Sequence, residues 1–155
     1  MAALPALLEV LPYDECLAYL GQETVGRMAW IRNGQPMLVP LNYLWDGHEI
    51  VLRSDPGRRV EETREASVAF EIDGFDAKSR TGWSVVVSGR LVPVDTTETR
   101  SDSGPSTWVP GSKEVRSRIE PDTVTGRRIR SAGPDSTEPA PSEPTNPYWR
   151  MSAYS

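Results

Sequence analysis

Arginine, serine and a proline–glycine turn fall together in one short stretch, IVLRSDPGRRVEE, which runs from Ile50 to Glu62. An apolar run ends at Arg53 and Ser54, and a turn then leads to Arg58 and Arg59 at the start of a predicted helix. Cations are unfavourable at a helix N-terminus, where the backbone already carries partial positive charge. Free backbone N–H groups, the serine hydroxyl and paired guanidinium groups would suit a bound anion such as a phosphate, which reverses the sign of the local field.

The same arginines also fit a solvated helix face. Glu62 follows Arg58 by four residues and Arg59 by three, so either arginine can pair with it on the helix surface. Local chemistry leaves both interpretations open, although the breach of the local charge preference favours a binding site.

Two other stretches contain candidate binding residues. In VPLNY, Pro40 cannot donate to a β-ladder, so we expect an interruption of the strand there, and Asn42 then offers an amide to a polar heterocycle or to the backbone. In TGWSVVVSGR, Trp83 and Ser84 begin a long predicted strand. The Trp83 ring can stack on a flat ligand or simply fill the end of a barrel.

The composition excludes several kinds of site. A net charge of -5 and a pI near 5.0 argue against a general nucleic-acid binder. With one cysteine and one histidine, the chain has no disulfide framework and too few ligands for a zinc or non-haem iron site, so we expect no metal. It also lacks a Walker loop and a dinucleotide fingerprint. If the protein is an enzyme, a cofactor is expected to supply the reactivity.

Cysteine usage and hydropathy also give an expected location. Cys16 lies beside the apolar face of a predicted helix, and we interpret it as a small buried hydrophobe. The absence of disulfides fits a reducing, cytoplasmic compartment, and no apolar stretch is long enough to span a membrane.

Periodicity predicts mostly strands. A helix over 13–23 has Tyr13, Leu17 and Leu20 on one face, and a second short helix covers 58–66. The strands are predicted over 24–31, 36–45, 49–54, 67–73 and 82–94, with an edge strand within 118–129 because Pro121 would break a central ladder. Tight turns at 33–35 and 46–48 make the first three strands an antiparallel meander. Strand closure into a small barrel would remove the exposed edges, and apolar residues on both strand faces indicate burial against a second subunit.

The chain divides into two parts by composition. Residues 1–130 are predicted to form one folded domain. Residues 131–155 are dominated by Pro, Ser, Thr and Glu, so we expect a disordered tail there.

The order of these motifs resembles a known family. The stretch from ECLAYLGQETVGR through VPLNYLWDGHEIVLRSDPGRR, followed by VAFEID and GWSVVVSGR, is similar to the pyridoxamine 5′-phosphate oxidase-like, FMN-binding split-barrel proteins, in particular the small nitroimidazole-reductase-like bacterial members. The resemblance runs from about residue 15 to residue 129. It implies a mainly β fold, a six-stranded antiparallel Greek-key split barrel with a few short helices.

The resemblance also implies a homodimer with FMN at the subunit interface. The cofactor-binding residues that it implies fall into three groups. The strand along the flavin supplies Pro40, Leu41, Asn42 and Tyr43; the phosphate ligands are Arg53, Ser54, Arg58 and Arg59; and Trp83 and Ser84 reach the cofactor, commonly from the partner subunit. The C-terminal Arg/His-containing substrate motif of true pyridoxamine-phosphate oxidases is missing from this chain.

The function implied is that of an oxidoreductase that transfers hydride or electrons between a reductant and a small molecule, with no nucleic-acid or membrane partner. No side chain is nominated as a catalytic acid or base. Two alternatives stay open: a flavin- or haem-binding storage or sensor protein without turnover, and a reductase that uses the deazaflavin coenzyme.

Overall fold

A computed structural model of the chain describes residues 8–54, 66–94, 105 and 115–130. Within these ranges lie one helix and seven strands, in the order β1 (Leu8–Val10), α1 (Tyr13–Gln22), β2 (Val25–Arg32), β3 (Gln35–Trp45), β4 (Ile50–Ser54), β5 (Ser67–Asp76), β6 (Thr81–Pro93) and β7 (Val115–Ile129). Every strand pairing is antiparallel. The second predicted helix and the predicted tail lie outside the described residues.

The strands close into a barrel with Greek-key connections. β2, β3 and β4 form the predicted meander, and β5 returns to lie beside β2, which gives the spatial order β4-β3-β2-β5. β6 pairs with β5, and β7 closes the barrel between β6 and β4. The predicted six-stranded antiparallel barrel is therefore confirmed. The short strand β1, which the sequence pattern did not predict, adds to β7 outside the closed ring.

The turns of the meander have the backbone geometry that their sequences predict. Asn33 and Gly34 both have positive φ, 49° and 74°, which a two-residue type I′ hairpin requires. In the second turn, the Asp46 side chain accepts hydrogen bonds from the backbone N–H groups of His48 and Glu49 at 2.8 and 2.7 Å. These local bonds fix the register in which β2, β3 and β4 pair.

The prediction of an edge strand within 118–129 is wrong, because β7 pairs with β4, β6 and β1. Pro121 is accommodated by an irregularity: the register between β6 and β7 shifts at Ser88 and Gly89, which leaves Asp122 as an extra residue on β7. Gly89 permits the close approach, since a Cβ there would lie 2.1 Å from the carbonyl oxygen of Glu120. A proline at such a bulge costs no regular ladder bond.

Strand β3 also runs through its proline, contrary to the expected interruption at Pro40. β3 pairs with β2 over residues 35–42, but it pairs with β4 only at Tyr43, Leu44 and Trp45. At Pro40 the strand therefore has one neighbour among the described residues. A proline is tolerated on the unpaired side of a strand, because no ladder partner needs its N–H group.

The core lies inside the barrel and is covered at one end by helix α1. Cys16 and Leu20 are fully buried on the inner face of α1, whereas Tyr13 is 63% exposed. The predicted helix face was therefore wrong at Tyr13 and right at Leu20, and the prediction that Cys16 is a buried hydrophobe is confirmed. The largest fully buried side chains of the barrel itself are Tyr43, Phe70, Met28, Ile50, Leu52, Ile72, Leu91 and Ile119.

Candidate functional site

The end of β4 and the second half of β3 bring the first candidate residues together. Tyr43 and Leu52 are the last pair in the register of β3 with β4, and Asn42 and Arg53 are the residues that come next beyond this pair on the two strands. Leu41 and Tyr43 are buried at 7% and 2% exposure, while Pro40 is exposed. Because side chains alternate along a strand, the outer face of β3 presents Pro40 and Asn42. Leu41 and Tyr43 can reach an outer ligand only through their backbone.

Tyr43 fixes this part of β3 to the core. Its hydroxyl donates a 2.8 Å hydrogen bond to the carbonyl oxygen of Leu20 in α1, and its ring meets the ring of Phe70 edge-on, with centroids 5.0 Å apart. Burial raises the pKa of the Tyr43 phenol, and the charge of Glu23 raises this pKa further. Tyr43 therefore stays neutral and acts as a rigid support for the strand.

Arg53 carries an unsatisfied donor at this position. Its side chain is half-buried, and its buried Nε makes no hydrogen bond to any residue that the structure describes. Leaving a buried charged donor without a partner is costly, and an acceptor that is not part of the protein, such as an ion, would remove that cost. In the backbone register, the residue opposite Arg53 on β7 is Arg116, so two basic residues of the sequence occupy paired positions at this end of the wall.

The remaining predicted phosphate ligands can be located only in part. The backbone of Ser54 ends β4 and pairs with Val115, which places this residue next to Arg53 at the same end of the barrel wall. Arg58 and Arg59 lie outside the described residues, so their position relative to Arg53 stays a prediction from the sequence.

Trp83 and Ser84 lie elsewhere on the chain's surface. Two strands, β2 and β5, separate β3 from β6, and at about 4.8 Å per strand Asn42 and Ser84 are about 14 Å apart around the barrel. Trp83 packs against the core and stacks on Tyr19 with ring centroids 3.9 Å apart, whereas Ser84 lies opposite Asp73 on the other face of the wall. One chain does not bring the two groups of candidates together.

A charged cluster beside Trp83 was missed in the sequence. Nη2 of Arg128 lies 2.5 Å from Oε2 of Glu15 and 3.3 Å from the Tyr19 hydroxyl oxygen. Trp83, Arg128 and Phe75 also line an open cleft of about 700 Å³. Sequence separation hid this cluster, because Glu15 and Arg128 are 113 residues apart and meet only when β7 closes the barrel.

A second missed cluster lies on the outer face of the wall between the two candidate groups. Nη1 of Arg27 on β2 is 3.1 Å from Oε2 of Glu71 and 3.4 Å from Oδ1 of Asp73, both on β5. Burial raises the pKa of Glu71, as do the hydrogen bond to Asp73 and its charge, while Arg27 acts in the opposite direction. The alternation of side chains along a strand predicts from the sequence that Glu71 and Asp73 lie on the same face of β5.

The outer face of β2 and β3 is apolar next to this cluster. Ile31 is 65% and Leu38 is 68% exposed. Ile31 pairs with Pro36 and Leu38 pairs with Ala29, so these four residues lie on neighbouring positions of the same face. We call Ala29, Ile31, Pro36 and Leu38 the β2–β3 apolar face. Adjacent exposed large hydrophobic residues of this kind are typical of interaction surfaces.

Membrane insertion through a helix finds no support in the described part of the chain, because its one helix, α1, is too short and too polar to span a bilayer.

Comparison with known proteins supports the resemblance seen in the sequence. Residues 12–128 match the family model described as pyridoxamine 5′-phosphate oxidase. An uncharacterized protein of Mycobacterium tuberculosis is 32% identical over 127 residues, which cover 77% of this chain and 84% of that protein.

Solved structures show the same fold. An FAD-binding protein from Mesorhizobium loti is 29% identical, with a TM-score of 0.68 over 80% of this chain and 99% of that one. The FAD-binding protein from Mycobacterium smegmatis is 23% identical, with a TM-score of 0.62 over 79% of this chain and 99% of that one, and this likeness concerns the fold alone. Because the family model spans well over half of the chain, and the fold agrees with it, this protein belongs to the pyridoxamine 5′-phosphate oxidase family.

Proposed function

We propose that the protein binds a flavin between two copies of the chain and acts as an oxidoreductase that transfers hydride or electrons between a reductant and a small molecule. The observation that carries this proposal is Arg53: this arginine is half-buried, its Nε has no partner among the described residues, and it lies near the end of β4, the strand that pairs with β3. A bound flavin would supply the redox chemistry, and the protein would supply its binding and orientation.

The residues at the end of β4 fit the terminal phosphate of FMN. Arg53 offers an unsatisfied donor, and Ser54, Arg58 and Arg59 follow it in the sequence. Guanidinium groups bind phosphate oxygens through short, charge-assisted and often paired hydrogen bonds. In this proposal, Asn42 and the backbone of β3 contact the ribityl chain and the ring.

FAD is the second candidate cofactor. The Mesorhizobium loti protein that shares this fold is an FAD-binding protein, and Arg116 opposite Arg53 adds basic charge that would suit a diphosphate. FMN remains our proposal, because the arginines that the sequence adds, Arg58 and Arg59, are adjacent and suit one terminal group. The deazaflavin coenzyme, whose side chain is also acidic, is a third possible occupant of the same basic site.

We infer that the proposed site takes residues from two subunits. Asn42 and Ser84 lie about 14 Å apart around the barrel, and Trp83 stacks on Tyr19 of its own chain, so we expect the Trp83 and Ser84 that contact the cofactor to come from the partner subunit. The β2–β3 apolar face offers the surface for that partner. In a two-fold dimer the same contacts occur twice, which gives two equivalent sites.

Identification of the bound cofactor is the direct test. The protein is purified without added flavin, its absorbance spectrum is recorded, and the released molecule is identified by mass. We expect FMN; FAD or a deazaflavin would replace the cofactor assignment, and a protein that neither carries nor takes up any of the three would refute the proposal.

The phosphate ligands are tested by substitution. Arg58→Ala together with Arg59→Ala is expected to weaken FMN binding by at least ~2 kcal/mol, because charged hydrogen bonds are lost. Arg80→Ala, on the turn between β5 and β6, serves as the control for a loss of positive charge. Unchanged FMN affinity in a fluorescence titration would rule out these two residues as ligands.

Turnover separates an enzyme from a storage or sensor protein. The holoprotein is mixed with excess reduced nicotinamide and an electron acceptor such as a quinone or a nitro compound. An oxidoreductase is expected to oxidise many equivalents of the nicotinamide, whereas a binding protein would be reduced once, in proportion to its flavin.

A further inference from the structure

Arg27 is held in place by two carboxylates. Its Nη1 lies 3.1 Å from Glu71 and 3.4 Å from Asp73, and all three side chains stand on the outer face of the barrel wall. The Arg27 side chain is 45% exposed, while those of Glu71 and Asp73 are 29% and 28% exposed. One nitrogen of the guanidinium therefore contacts both acids, and these contacts restrain the side chain of Arg27.

Nη2 and Nε of Arg27 make no hydrogen bond or ion pair with the described residues. A guanidinium has five N–H donors, of which two are on Nη1 and three on Nη2 and Nε. Among the described residues, the contacts of Arg27 to Glu71 and Asp73 all pass through Nη1. A planar edge with donors on Nη2 and Nε is therefore available to a ligand, and it is already oriented, so binding costs little side-chain entropy.

The location of Arg27 connects it to the proposed cofactor site. Arg27 pairs directly with Pro40, and two residues further along β3 lies Asn42, just beyond the last pair of β3 with β4, Tyr43 and Leu52. Directly paired residues on one face have Cβ atoms about 5 Å apart. Arg27 is therefore further from Arg53 than Asn42 is. If the phosphate binds at the end of β4, the flavin ring would lie at this greater distance, near Arg27.

We propose that Arg27 binds the carbonyl edge of the flavin ring, with Glu71 and Asp73 as positioning residues that orient it. This inference rests on the proposed function. In it, Arg27 recognises the flavin ring, whereas the predicted phosphate ligands contact only the phosphate. A guanidinium at this edge also stabilises the negative charge that a flavin ring acquires on reduction.

The ligand pair FMN and riboflavin distinguishes ring contacts from phosphate contacts, because riboflavin has the ring and lacks the phosphate. Arg27→Gln is expected to weaken the binding of both ligands about tenfold, as measured by fluorescence quenching. Arg53→Gln is expected to weaken FMN binding and to leave riboflavin binding within twofold of the wild type. Arg90→Gln is the matched control, since Arg90 also pairs with a glutamate, Glu120, at 3.4 Å and has a 59% exposed side chain.

The midpoint potential of bound FMN gives an independent measurement. If Arg27→Gln makes the reduced form about tenfold less favoured relative to the oxidised form, the two-electron potential falls by about 30 mV. Arg90→Gln is expected to leave the potential unchanged. A purely structural ion pair would change the melting temperature of the apoprotein and leave both the ligand ratio and the potential as they are.

Loss of Arg27 alone leaves two neighbouring carboxylates without their cation, so the protein carrying Arg27→Gln together with Glu71→Gln is measured as well. If this variant folds and binds riboflavin as tightly as the wild type, with an unchanged potential, Arg27 does not contact the ring and the inference is overturned. If the wild type itself binds no flavin, the proposed function fails, and this outcome is distinct from a failure at Arg27 alone.

Discussion

Replacing Leu38 by serine tests whether the β2–β3 apolar face joins two subunits. Leu38 is 68% exposed in one chain. Full burial of a leucine side chain contributes about 1.5–3 kcal/mol, so covering this exposed fraction would contribute about 1–2 kcal/mol. A two-fold interface contains the residue twice. We therefore expect Leu38→Ser to weaken the dimer by about 2–4 kcal/mol, which raises its dissociation constant about 30- to 1,000-fold.

Sedimentation equilibrium over a range of protein concentrations measures this change directly. Tyr13→Ser is the control, because Tyr13 is 63% exposed and stands at the start of α1, away from the β2–β3 apolar face. Flavin affinity should fall together with dimer affinity, since the proposed site takes residues from both subunits. A wild-type monomer at micromolar concentration, or equal effects of Leu38→Ser and Tyr13→Ser, would contradict our reasoning about this surface.

Three further predictions concern stability and reactivity. Tyr43→Phe is expected to lower the free energy of unfolding by about 1–2 kcal/mol in urea titrations, because the Leu20 carbonyl loses its 2.8 Å donor; no loss would mean that this bond contributes nothing. Burial raises the pKa of Glu71 above its ordinary value of 4.5, so folding favours the protonated form of this side chain. The stability of the wild type relative to Glu71→Gln should therefore be greatest below about pH 4.5 and should fall as the pH rises through the folded-state pKa. Urea titrations of both proteins at each pH measure this difference. Burial also raises the pKa of the Cys16 thiol, and alkylation should be slow in the native protein and fast in urea, whereas fast native alkylation would show an accessible thiol.

Most of the barrel could be predicted because its signals are local. The Asn33–Gly34 turn and the alternation of the strands depend on residues close in sequence, and both predictions are confirmed. Errors arose at Pro40 and Pro121, where proline was expected to end or exclude a ladder. Each is tolerated through a tertiary feature, an unpaired strand side at Pro40 and a bulge at Pro121, and neither feature is visible in local sequence.

The candidate site was predictable only in its residue types. The basic residues around Arg53 and the amide of Asn42 are visible in the sequence, and their proximity follows from a short turn. The Arg27 cluster depends on the pairing of β2 with β5, two strands that are separated by β3 and β4 in the chain. Sequence periodicity predicts the face on which a side chain lies but not the strand that will lie beside it.

The pairing of β7 has a consequence for biosynthesis. Because β7 supplies the partner for both β4 and β6 and follows every other described strand in the chain, the wall stays open until this segment leaves the ribosome. Until then two strands expose unpaired backbone groups that can recruit neighbouring nascent chains. Ring closure also joins residues that are far apart in sequence, so folding is expected to be slow for a chain of this size, and chaperone demand should be greatest before β7 becomes available.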